Sequence, residues 1–115
     1  MNPKEIYEKA LKQWGKPMQV VMAIEEMSEL TKELTKNLRG KENIIQVCEE
    51  IADVEIMLEQ LKVIFDTVQW KDGKTVELAK ETKLKRLEGM VQRNDSAKDV
   101  VNRKTAKSRT LRGDG

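Results

Sequence analysis

Apolar residues recur along this chain in alternating steps of three and four, the spacing that stacks side chains on one face of a helix. Four segments carry the pattern. The first holds Ile6, Tyr7, Ala10, Leu11 and Trp14; it opens on Asn2-Pro3-Lys4-Glu5 and closes at Gly15. Asn2 is suited to the cap, Pro3 to the first turn and Glu5 to the reciprocal capping position. Pro17 can start the second helix, whose seam reads Val20, Ile24, Met27, Thr31, Leu34, Leu38 before a stop at Gly40. A third seam runs Ile44, Val47/Cys48, Ile51, Val54, Leu58, Leu61, Phe65. After a break at Gln69-Trp70-Lys71-Asp72-Gly73-Lys74, a fourth carries Val76, Ala79, Lys83/Leu84, Leu87 and Met90/Val91. Almost nothing reads as strand. The expectation is an all-α fold, a four-helix up-and-down bundle over residues 1–91. From 92 to 115 the apolar rhythm fades, and a basic tail is expected, mobile or a frayed helix.

The polar positions add a second pattern. Glu26/Glu29 and Glu50/Asp53 are two acidic pairs with the same internal spacing of three, so each pair lies on one helix face. Gly40 suits the left-handed cap that ends a helix and reverses the chain. Glu29 lies eleven residues before it and Glu50 ten after, which is roughly 16 and 15 Å along the two helix axes. A hairpin at Gly40 therefore brings the two pairs level. Four carboxylates at one height repel one another unless a cation neutralises them, and hard divalent ions prefer oxygen ligands. The spacing makes these residues a candidate Mg²⁺ site.

Glu26, Glu50 and Asp53 have no Lys or Arg three or four residues away, whereas solvated acidic faces are usually laced with such partners. From Met18 to Gln60 there are ten acids against four bases, and the bases gather near Gly40. On spacing alone, solvent-facing glutamates and metal ligands both remain open.

Charged residues make up 37% of the 115 and hydrophobic ones 38%, with two Trp, one Tyr and one Phe. Such a chain has an aliphatic, thin core and is expected to complete its burial by oligomerising. The absence of histidine excludes imidazole bases and Glu-x-x-His metal sites. The single cysteine, Cys48, excludes an intrachain disulfide and is expected to pack in the core. No membrane span or secretory signal is read, and a cytoplasmic location is expected. Residues 1–91 carry 15 basic and 17 acidic side chains against 7 and 3 in 92–115, so the body is mildly acidic and the tail basic.

Glu-Glu-x-x-Glu at 25–29 followed by Glu-x-x-Asp at 50–53, in a helical hairpin, resembles the MazG-like all-α nucleoside triphosphate pyrophosphohydrolases. Dimeric dUTPases and phosphoribosyl-ATP pyrophosphatases belong to the same superfamily. The resemblance spans Trp14 to Met90. It implies a bundle of that type and Mg²⁺-dependent hydrolysis of nucleoside triphosphates to monophosphate and pyrophosphate, with Mn²⁺ as a substitute ion. By the same resemblance Glu26, Glu29, Glu50 and Asp53 would hold the metal, and Glu25 or Glu29 would take the proton of the attacking water. Lys80, Lys83 and Arg86, three apart on one face, would meet the phosphates, and Trp14, Gln19 and Met22 the base. It further implies a homotetramer built as a dimer of dimers, or a homodimer. A phosphoribosyl-ATP pyrophosphatase is a narrower variant of this expectation. A reading from a different class is a helical adaptor that dimerises, its tail (Arg103, Lys104, Lys107, Arg109, Arg112) touching nucleic acid. The enzyme reading expects no such nucleic-acid contact.

Overall fold

A computed structural model describes the backbone of residues 1–111 and the side chains of residues 1–104. Its elements are α1 (Pro3–Trp14), α2 (Lys16–Leu38), α3 (Ile44–Phe65), β1 (Gln69–Trp70), β2 (Gly73–Lys74) and α4 (Thr75–Leu111). The chain divides into two compact units, one ending at Lys74 and one beginning at Thr75. The all-α expectation holds. The exception is a minimal antiparallel hairpin, Gln69 opposite Lys74 and Trp70 opposite Gly73, which fills the break expected after α3.

Local chemistry accounts for the helix ends. The Glu5 backbone N–H donates to Asn2 Oδ1 at 2.9 Å, and Asn2 Nδ2 donates back to Glu5 Oε1 at 3.0 Å, a reciprocal cap with Pro3 behind it. α2 stops in a double-bonded turn in which Gly40 N–H reaches Asn37 O (2.9 Å) and Lys41 N–H reaches Lys36 O (3.1 Å). That arrangement requires the residue past the cap to be left-handed, and Gly40 has φ +97°. Nothing crowds a Cβ there, so Gly40→Ala meets backbone strain alone. It is expected to cost about 1–2 kcal/mol, read as a lower urea midpoint with unchanged slope.

Within the first unit α2 and α3 form an antiparallel hairpin, and α1 packs against both. Their contact face is not the seam that the apolar spacing predicts. Ala23 and Met57 are the fully buried apolar side chains, and Gln19, Asn43 and Gln60 are buried with them. Glu26, Leu30 and Glu33 on α2 and Val47, Glu50, Val54 and Leu61 on α3 are half-buried. Ile24, Leu34 and Leu38 of the expected α2 seam face outward, as do Ile44, Ile51, Leu58 and Phe65 of α3. α2 is thus turned by about one residue from the expected orientation. The cause is polar. Gln60 hydrogen-bonds to Gln19 across the interface, and Asn43, just before α3, to Glu33 of α2. Cys48 shares the outward face and is exposed, which corrects its expected place in the core. With Leu34, Asn37, Ile44 and Val47 it lines a shallow apolar groove. At the far end of the hairpin, the Lys16 ammonium sits 4.8 Å from the centre of the Phe65 ring, a cation–π contact.

The second unit is α4. It runs on past Met90 and Val91 to Leu111. Leu84, Leu87, Met90, Val91, Val100 and Val101 are exposed on it, and Glu81 pairs with Lys85 at 3.3 Å. Arg103 and Lys104 are exposed; the side chains of Lys107 and Arg109, and all of Arg112, lie outside the described residues. Among the described residues no helix is long and apolar enough to cross a membrane.

Candidate metal centre

Midway along the α2–α3 interface, Glu26, Glu50 and Asp53 each bring one carboxylate oxygen within 4.8 Å of the other two. The hairpin turn at Gly40 thus gathers three of the four carboxylates that the spacing brings level, and Glu29 stays outside the group. Glu26 and Glu50 are half-buried and Asp53 is exposed, so the cluster opens to solvent on the Asp53 side.

Burial and mutual repulsion both act on these acids. Removal from water raises the Glu26 carboxyl above its ordinary range, and the Asp53 charge beside it, a hydrogen bond with Asp53, and Glu29 and Glu25 push the same way. Glu50 is raised first by burial, then by Asp53, Glu26, Glu29 and Glu33. Glu50 Oε2 is buried with no hydrogen-bond partner. A buried acceptor without a donor is costly. An oxygen-preferring divalent cation would remove that cost and the repulsion together, and a set made only of carboxylates suits the hard ions Mg²⁺, Ca²⁺ and Mn²⁺ alike.

Glu29, one turn on from Glu26, is exposed and lies outside this three-oxygen group, although its charge is felt by both Glu26 and Glu50. Glu25 is exposed beside Glu26. Trp14 is exposed at the end of α1 and Met22 on α2. Gln19 is buried, its Oε1 accepting from Gln60 Nε2 at 2.9 Å and its Nε2 directed at Met22 Sδ at 3.6 Å. Lys80, Lys83 and Arg86 are exposed along α4.

Two further polar contacts flank the acids, and spacing of apolar residues gave no sign of them. Toward the turn, Asn43 Nδ2 donates to the Glu33 backbone carbonyl (2.9 Å) and to Glu33 Oε2 (2.6 Å), while Asn43 Oδ1 accepts from Asn37 Nδ2 at 3.2 Å. The Asn43 donor, aided by Lys36, holds the Glu33 carboxyl below the ordinary carboxylate range against the effect of burial. At the other end Gln60 Nε2 donates to Gln19 Oε1 and to Tyr7 O, both at 2.9 Å. A repeat of seven does betray them: Gln19, Glu26, Glu33 on α2, and Asn43, Glu50 with Asp53, Gln60 on α3.

Compared with known protein families, curated proteins and solved structures, the chain matches none.

Proposed function

We propose that this protein is a Mg²⁺-dependent nucleoside triphosphate pyrophosphohydrolase of the MazG-like kind, releasing pyrophosphate and a nucleoside monophosphate, and serving to clear nucleotides from the pool. One observation carries the reading: the Glu26–Glu50–Asp53 cluster, with its partnerless buried oxygen, sits where the two acidic motifs of the resemblance predict a shared ion. Glu26, Glu50 and Asp53 hold the cation, with Glu29 adjoining them. When bound, the ion neutralises phosphate charge and acidifies a water. Glu29 or Glu25, both exposed beside the cluster, accepts that water's proton. Of the three residues expected at the base, Trp14 and Met22 are exposed and contact it, whereas Gln19 is buried with its amide engaged by Gln60 and Met22.

The finer architecture belongs to the same proposal. A bundle of the MazG type is part of it, and the outward stripe Ile24, Leu34, Leu38, Ile44, Ile51 is covered on oligomerisation. The assembly is a dimer of dimers, or a dimer, and light scattering on the purified protein gives two or four copies per particle. A single copy would remove this part of the reading.

The test of activity is a screen of common and modified nucleoside triphosphates for pyrophosphate release with and without Mg²⁺. Release from at least one, lost on chelation, is expected; no release from any would reject the enzyme. The exposed stripe also favours a second reading, a helical adaptor whose business is association. A thermal melt separates the two: Mg²⁺ or Mn²⁺ with a non-hydrolysable nucleotide raises the melting temperature of the enzyme and leaves that of an adaptor unchanged.

A further inference from the structure

The contact between α2 and α3 is a ladder of polar levels. Gln19 meets Gln60 at one end, the three acids lie in the middle, and Glu33 meets Asn43 at the turn. Seven residues separate Gln19 from Glu26 and Glu26 from Glu33; seven also separate Asn43 from Glu50, and Asp53 from Gln60. Each hydrogen-bonded pair therefore lies two turns from the acids, roughly 10 Å at 1.5 Å per residue.

Stability alone does not account for these pairs. Gln60 is 2% and Asn43 1% exposed, and Gln60 Oε1 has no hydrogen-bond partner although it is buried. An apolar pair of the same shape would fill the Gln19–Gln60 place without leaving a side-chain polar atom unpaired. Meanwhile Ile24, Leu34, Ile44 and Ile51, which could have formed an apolar interface, face outward. A polar residue at a core position of paired helices fixes their register at a cost in stability. Register is what three mutually repelling carboxylates need. A slide or rotation of α3 would let them part, and a binding constellation has to be held to about half an ångström.

We infer that the two hydrogen-bonded pairs, Gln19–Gln60 and Glu33–Asn43, are positioning residues that lock the α2–α3 register and so hold Glu26, Glu50 and Asp53 together in readiness for a cation. The inference deepens the cation-site reading and rests on it. Gln60 extends the lock to α1 through the Tyr7 carbonyl. Asn43 does the same for the turn: standing at the cap position of α3, it makes no capping bond with its side chain and spends both amide atoms on α2 residues instead.

The experiment compares the parent chain with Gln19→Met/Gln60→Met, in which both partners are replaced by apolar groups of similar shape, and with Asn43→Leu. Mn²⁺ binding is followed by the electron paramagnetic resonance of the free ion, without nucleotide. Register is followed by the distance between nitroxides at Cys48 and at Lys32→Cys, both exposed sites, in labelled chains diluted with unlabelled ones. The methionine pair is expected to keep its helix content and melting temperature, to bind Mn²⁺ about tenfold more weakly, and to show a broadened distance distribution. Unchanged affinity and width would overturn the inference. If the parent itself binds no Mn²⁺, the cation reading falls separately, and an unchanged distance distribution still refutes the lock. Asn43→Leu is expected to act in the same direction; should it fail to fold, the methionine pair decides.

Discussion

Asp53→Ala is expected to abolish pyrophosphate release, with a loss of at least about 100-fold in kcat/KM, while circular dichroism shows the helices intact. Asp53 is exposed, so its removal empties no core, and alanine is the better helix former. What disappears is one of three converging oxygens and the charge that most strongly perturbs Glu50 after burial. Glu29→Ala is expected to be equally inactive for a different reason. Glu29 stands outside the three-oxygen group, so its loss should fall on kcat, the proton-transfer step, more than on the concentration of Mg²⁺ needed. Titrating Mg²⁺ in both variants separates the roles: Asp53→Ala shifts the half-saturating concentration, Glu29→Ala does not. Normal turnover in either variant would show that the acids have been assigned wrongly.

Glu50→Gln is expected to stabilise the metal-free protein at neutral pH and to erase most of its response to Mg²⁺. The sign follows from the raised carboxyls. An acid whose folded pKa exceeds its unfolded value near 4.5 holds its proton more tightly when folded. Stability therefore falls as pH rises from about 4.5 through the raised values, and the penalty is fully present above them. Glu33 runs the other way. Its folded pKa is lowered, so its contribution is present above 4.5 and lost as pH falls through the lowered value. These three groups by themselves favour the metal-free fold more at acidic than at neutral pH. Replacing Glu50 by its neutral isostere removes one raised group and relieves another, because Glu50 and Glu26 repel each other. The slope above pH 4.5 should flatten. In the parent, Mg²⁺ at 100 times its dissociation constant adds about 2.7 kcal/mol, and the variant should gain much less. Melting curves from pH 4 to 8, with EDTA and with Mg²⁺, read both effects. A variant less stable than the parent in EDTA at pH 7 would show that the cluster is not strained.

The helix boundaries were legible because their signals are local. Asn2 acts through its side chain on the adjoining turn, Pro3, Gly15 and Gly40 through their own backbone, and the structure uses them as the sequence suggests. The convergence of Glu26, Glu50 and Asp53 was legible for a similar reason, since one turn at Gly40 converts a spacing into a height. The orientation of α2 was not. Apolar spacing assumes that the most hydrophobic stripe faces the neighbouring helix, and here buried amides and carboxylates took that place. Cys48 went outward with the stripe. Asn43, Gln60 and Glu33 look like ordinary surface residues when read one at a time, because amides and glutamates are mostly exposed. Only their seven-residue repeat with the acids distinguishes them, and a repeat of polar residues is easily taken for a solvated face.

A helical unit that completely hides just Ala23 and Met57 among its apolar side chains has thermodynamic consequences. Unfolding such a unit newly wets little hydrocarbon, so its heat-capacity increment and its denaturant sensitivity per residue should be small. The outward stripe is part of what remains exposed, and only another surface can hide it. In the proposed assembly the midpoint of thermal denaturation would climb with protein concentration, as mass action requires of linked folding and association.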